Sequence, residues 1–175
     1  MTDLFARVTG DQDVFKKLAS NIPGFQGYIE RQNRRAADKL LRETVADRFD
    51  ELYKRISNIQ VDLVNQGQIA LLDDIERAAI QVRTFANKMR TAAYGYSGFF
   101  DAVKVNEEEL ANLYAFDASF FDLIDKISSA LDNVQASMGD DNGLMAAIRH
   151  LISLGREAVE TFERRSEVIT NAGQK

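Results

Sequence analysis

In four stretches of this chain, apolar residues recur at alternating intervals of three and four, the pattern of a helix that buries one narrow stripe along its whole length. The first stretch carries Val45, Phe49, Leu52, Ile56, Ile59 and Leu63. The second carries Leu72, Ile75, Ala79, Val82, Ala86, Met89 and Ala93. The third carries Leu113, Asp117, Phe120, Ile124, Ile127, Leu131, Val134 and Met138. The fourth carries Leu144, Ile148, Leu151, Gly155, Ala158, Phe162 and Ile169. No window alternates with the period of a strand. The pattern therefore predicts an all-α fold, an elongated antiparallel up-down-up-down four-helix bundle.

Glycines and the single proline set the boundaries. The first helix is expected to open at Phe25 or Tyr28, just after Pro23 and Gly24, and to run to Asn65. At about 1.5 Å per residue it would be roughly 55 Å long. The second helix is expected over Gln68 to Ala93, the third from Asn106 to Met138, and the fourth from Asn142 to Ile169. Asn106 and Glu109 have capping-box spacing. The turns Asn65-Gln66-Gly67 and Gly139-Asp140-Asp141-Asn142-Gly143 are short, which makes the helices they join antiparallel neighbours. Residues 1–27 read as an amphipathic helical segment, with Leu4, Phe5 and Val8 and then Val14, Phe15 and Leu18 on its apolar side. Residues 28–170 form the bundle, and residues 171–175 a disordered tail. Gly155 stands in the apolar seam and is expected to permit close helix approach or a slight bend.

This topology gathers the start of helix one, the end of helix two, the start of helix three and the end of helix four at one end. The connection there reads Tyr94-Gly95-Tyr96-Ser97-Gly98-Phe99-Phe100. Helix three adds Tyr114, Phe116, Phe120 and Phe121, helix four adds Phe162, and Phe25 and Tyr28 open helix one. The same end holds Arg31, Arg34, Arg35, Lys39 and Arg42, of which 31, 35, 39 and 42 follow helical spacing as a basic stripe. The stretch 99–141 has 2 basic and 10 acidic residues, whereas the rest of the chain is close to neutral; the net charge is -5. The aromatic set is expected to close the bundle as a plug, with a docking surface as the functional alternative. The charges are expected mainly to pair between helices, with an outward Arg stripe as the alternative. Arg31, Arg34, Arg35, Lys39, Arg42, Tyr94, Tyr96, Phe99, Phe100 and Tyr114 are the candidate interaction residues. Asp117 falls in the apolar seam and is expected to be a buried, register-fixing carboxylate paired with Arg35, Arg42, Arg90 or a tyrosine hydroxyl.

Few residues of this chain could carry chemistry. The chain has no cysteine and one histidine, His150, with Ala147 three residues before it. A di-iron site of the bundle type needs Glu-x-x-His on two helices and cannot be assembled. A zinc-hydrolase motif fails for the same reason. His150 lacks the Lys-Gly that follows the histidine of phosphotransfer domains, and no phosphate-binding glycine loop is present. No metal, cofactor or catalytic residue is expected, and enzymatic activity is not.

The acidic balance disfavours nucleic acid as the main partner. No apolar run reaches the roughly 18 residues a membrane span needs. The N-terminus lacks the pattern of a signal peptide. A cytoplasmic location follows, with a position peripheral to a membrane as the alternative. The expected function is a helical interaction or scaffold protein that binds another protein or itself through the aromatic and Arg-rich end. Two alternatives stand beside it. An amphipathic N-terminus followed by a long hairpin with a basic first arm is similar in layout, though not in motif, to phage-shock-protein-A and ESCRT-III-type membrane remodellers. That likeness implies a peripheral membrane assembly protein anchored through the N-terminal segment. The other alternative is a small-ligand binder with a pocket lined by Tyr94, Phe99, Tyr114 and Phe120.

Overall fold

The computed structural model describes residues 12–31, 33–92 and 107–172. They form six α-helices: α1 (Gln12–Asn21), α2 (Phe25–Glu30), α3 (Arg34–Asn65), α4 (Leu72–Thr91), α5 (Glu107–Ala136) and α6 (Asp141–Ala172). A 3-10 turn, Ile69–Leu71, leads into α4. Among the described residues there is no strand. The four long helices make the expected all-α bundle. Asn106 lies outside the described residues, and with it the expected capping box.

The two hairpins close as their turns predict. Gly67 and Gly139 follow α3 and α5 with φ of +72° and +94°. This left-handed conformation is the usual way for a helix to end on glycine. The expected first helix is interrupted, however. Its first turns form the separate α2, and α3 begins only after Asn33. That residue stands at φ -90°, ψ 76°, and its side-chain oxygen accepts the amide of Ala36 at 3.2 Å. A short polar side chain able to cap a helix thus overrides a pattern that would carry the helix through.

The helices reverse direction at each connection, but sequence neighbours are not always spatial neighbours. α3 lies beside α4, and α5 beside α6. The hairpins then join through α4 against α6 and α3 against α5. Both of these contacts are parallel. Gln81 lies against Gly155 and Lys88 pairs with Glu163 further along the same two helices. Likewise Asp38 meets the Arg165 that holds Asp117, while Arg55 meets Asp132 further along. α4 and α5 therefore stand on a diagonal. Heptad seams tolerate parallel and antiparallel neighbours alike, so the apolar pattern does not choose between the two arrangements.

The core runs the length of the bundle. Phe85 of α4 is its aromatic centre, with Phe49, Phe120 and Phe162 at ring distances of 4.0, 5.2 and 6.3 Å. α1 and α2 are packed onto the outside of α5 and α3. They bury Phe15, Leu18, Ile22, Phe25 and Ile29, so residues 12–30 share the core of the long helices.

Gly155 sits where α6 meets α4. A Cβ there would lie 2.7 Å from the Gln81 side-chain oxygen and 3.1 Å from its Cβ. An alanine in a helix interior normally adds about 1 kcal/mol over glycine. Here Gly155→Ala is expected instead to destabilise by about 1 kcal/mol, because the half-buried Gln81 stands against the new methyl and its Cβ must be pushed away. Urea denaturation with an unchanged slope is the check.

Candidate functional site

The expected end of the bundle contains a layer of charge inside the core. Asp38 and Arg42 of α3, Asp117 of α5 and Arg165 of α6 are all at least 96% buried. Their positions continue the apolar seams. On α3, 38 and 42 precede Val45 at the same alternating spacing, and on α6 position 165 stands between Phe162 and Ile169. Four seam positions at one level are thus charged, two of each sign.

The geometry connects them in a chain. Arg165 Nε donates to Asp117 at 2.6 Å, and its Nη2 donates to Asp38 at 2.7 Å and more weakly to the second Asp117 oxygen at 3.3 Å. The other Asp38 oxygen accepts from Arg42 Nε at 2.8 Å. Arg42 then donates through Nη1 to the carbonyls of Met89 and Arg90, at 3.1 and 3.3 Å. Those are carbonyls of the last turn of α4, which carry no partner within the helix and sit at the negative end of its dipole. The layer touches all four long helices. It is neutral overall and hydrogen-bonded, the condition under which charge is tolerated in a core.

Asp117, expected to be buried, is so, but its partner is not one of the expected set. Arg42 faces Asp38, Arg90 pairs with Asp47 and Asp50 on the surface, and Arg35 is exposed. Arg165 takes the role because the parallel pairing of α3 with α5 brings Asp38 and Asp117 to one level, opposite α6. Burial drives the Asp117 carboxyl up from its ordinary 3.8 to about 6, and the charge and hydrogen bonds of Arg165 pull back against that rise. The Tyr114 phenol, nearly fully buried beside the layer, is also pushed up, chiefly by desolvation and then by Asp117 and Asp38. Among the described residues its hydroxyl has no hydrogen-bond partner.

The other candidate residues divide between interior and surface. Tyr114, expected at the interaction surface, packs edge-on against Phe25 at 5.7 Å. Arg42, expected on the outward stripe, points inward because its helical position is in the seam. Arg31, Arg35 and Lys39 are exposed, and Arg34 is half-buried. Arg31 lies over the Tyr28 ring at 5.3 Å. Tyr94, Tyr96, Phe99 and Phe100 lie outside the described residues. Of the residues expected to line a ligand pocket, Tyr114 and Phe120 are packed into the core. The described part of the expected membrane anchor turns Phe15, Leu18 and Ile22 into the bundle.

A groove of about 650 Å³ runs between α5 and α6, with Asp125, Lys126, Ser129, Asn133 and His150 on its walls and Ala130 and Leu154 at its base. His150 is exposed there. Among the described residues no cluster of His, Asp and Glu could hold a metal ion, and no helix is long and apolar enough to cross a membrane. No family model, curated protein or solved structure matches this chain.

The charge layer yields two expectations. Arg165→Met leaves two carboxylates buried against one guanidinium and is expected to cost about 3–5 kcal/mol, lowering the melting temperature by about 10 °C. Replacing Asp38, Arg42, Asp117 and Arg165 together by Leu or Met is expected to recover most of that loss, since an apolar layer strands no charge. Thermal and urea unfolding distinguish the two.

The second expectation concerns pH. The folded-state pKa of Asp117 is raised, so between about pH 6 and pH 4 the folded chain takes up a proton that the unfolded chain does not. Stability from this group rises as pH falls through that window and is lost as pH climbs back through it. The stability of the natural chain relative to Asp117→Asn is therefore expected to improve from pH 7 to pH 4, measured by urea unfolding at each pH.

Proposed function

We propose that this protein is a non-enzymatic helical interaction module that engages an acidic protein partner through the end of the bundle where α3 begins. The observation that supports this reading is the division of the basic residues there. Arg42 and Arg165 are held in the core by Asp38 and Asp117. Arg31 in the turn after α2, and Arg35 and Lys39 on α3, stand on the surface. Lys39 makes only a loose pair with Glu43, at 3.9 Å and with most of its side chain in solvent. A cationic edge mounted on a rigid, internally neutral support keeps its shape when a partner arrives, which favours recognition over rearrangement.

Three of the described acidic side chains of the acidic helix α5 are paired within the fold. Asp122 pairs with Lys17, Asp132 with Arg55, and Asp117 with Arg165.

The test is isotopic affinity isolation of full-length tagged chain from its native host, in three forms. Arg35→Glu/Lys39→Glu reverses the edge, and Arg77→Glu/Arg149→Glu reverses two exposed charges elsewhere. The edge variant is expected to lose its acidic partner by about tenfold or more while the control retains it. Equal retention by both variants would sink the proposal. Each substitution is on an exposed position, so stability is expected to change by no more than about 0.5 kcal/mol.

A further inference from the structure

We propose that the outer face of the α3–α4 hairpin is a self-association surface, on which two copies of this chain pack antiparallel about a two-fold axis at Ile80. The surface lies away from the basic edge, and the inference does not depend on that edge.

Two contacts fix how α3 and α4 stand against each other on this face. Gln60 donates to the Glu76 carboxylate. Arg83 donates to the Tyr53 hydroxyl at 3.4 Å and lies over the Tyr53 ring at 5.4 Å. The step from Tyr53 to Gln60 equals the step from Glu76 to Arg83, so one antiparallel register runs along the hairpin. Val64 is one turn beyond Gln60, and Ile80 one turn beyond Glu76, each on the same face of its helix. Val61 stands beside Gln60, and Ile69 follows in the 3-10 turn. Val61, Val64, Ile69 and Ile80 are each more than half exposed. Aliphatic residues scattered singly over a surface are ordinary, whereas four gathered on one hairpin mark a contact surface.

The charges on this face say what covers it. Glu76 and Arg83 flank Ile80, one before it and one after it at helical spacing, and both are exposed. Glu76 is bonded to a neutral amide and Arg83 to a phenol, so among the described residues neither meets an opposite charge. When α4 of a second copy is turned end for end about Ile80, its Arg83 faces Glu76 of the first, and its Glu76 faces Arg83 of the first. Ile80 then packs on Ile80 at the axis. On α3, Val61 and Tyr53 lie on either side of the same level, so an aliphatic side chain and an aromatic ring are brought together as well. A surface whose acidic and basic halves exchange under a two-fold rotation is complementary to itself, as an isologous dimer requires. A partner of one charge sign would satisfy one half and be repelled by the other. The strip is roughly 25 Å long and two helices wide, roughly 500 Å² of flat area. Interfaces of that size are weak, and a dissociation constant on the order of 10–100 µM is expected.

The experiment is sedimentation of the full-length chain at low salt, from about 1 µM to about 1 mM. A monomer–dimer equilibrium is expected. Glu76→Arg alone and Arg83→Glu alone each set like charges against one another across the axis, and each is expected to weaken the dimer by about tenfold or more. An equal mixture of these two variants is expected to restore it, because a mixed pair again joins opposite charges at both contacts. The double variant Glu76→Arg/Arg83→Glu is expected to restore it for the same reason. Both positions are exposed, and thermal unfolding of each variant checks that the bundle is intact. A second readout uses the absence of cysteine from this chain. Ile80→Cys is expected to join two copies by a disulfide on mild oxidation, about tenfold faster than Met145→Cys at an exposed position of α6. The proposal is overturned by a chain that stays monomeric at about 1 mM. It is equally overturned by a dimer indifferent to the single reversals, or by a mixture of the two variants that associates no better than each alone.

Discussion

Arg165 holds the bundle in register. Its guanidinium sits with no solvent exposure between Asp38 of α3 and Asp117 of α5, and Asp38 passes the connection to Arg42 and the carbonyls ending α4. Apolar seams with a regular repeat can slide by a heptad at modest cost, because one Leu or Ile layer resembles the next. A layer of two carboxylates and two guanidinium groups cannot. Any slip would leave a desolvated charge facing an aliphatic side chain. The same layer selects the neighbours, because parallel contact of α3 with α5 is what brings Asp38 and Asp117 to a single cation.

Much of this was legible in the sequence. The four seams, both hairpin turns and the end at which the charges gather follow from spacing and glycine placement. Asp117 was recognisable as an internal carboxylate because it interrupts a seam. Its partner was equally visible in kind: Arg165 fills the position between Phe162 and Ile169, and Asp38 and Arg42 extend the α3 seam upstream of Val45. Read one helix at a time, a charge in a seam looks like the point where a helix leaves the core. Read across helices, four such positions at one level are an internal network. What spacing does not contain is the lateral order of the helices, so neither the parallel neighbours nor the choice of Arg165 over Arg42 or Arg90 could be obtained from it.

The break at Asn33 shows a second limit. Periodicity reports the preference of a whole stretch, whereas a helix terminus is decided by one or two hydrogen bonds. Asn33 caps α3 and lets α2 turn back over the bundle, where Phe25 closes on Tyr114. Of the basic edge, Arg31 owes its position to this turn. Without it, Arg31 would continue the α3 stripe one turn further along the same face. The surface chemistry of this end therefore rests on a local cap, and its rigidity on the charge layer beneath.

The diagonal placement of α4 and α5 also bears on how the chain can be divided. Each hairpin carries its own share of the internal charge: Asp38 with Arg42 on α3, and Asp117 with Arg165 across α5 and α6. Both shares are neutral, so neither hairpin strands a net charge when it collapses alone. The two halves therefore meet as electrically balanced units, each bringing one carboxylate and one guanidinium to the shared layer. The polar layer is thus a key shared by two hairpins, each of them neutral in its own contribution.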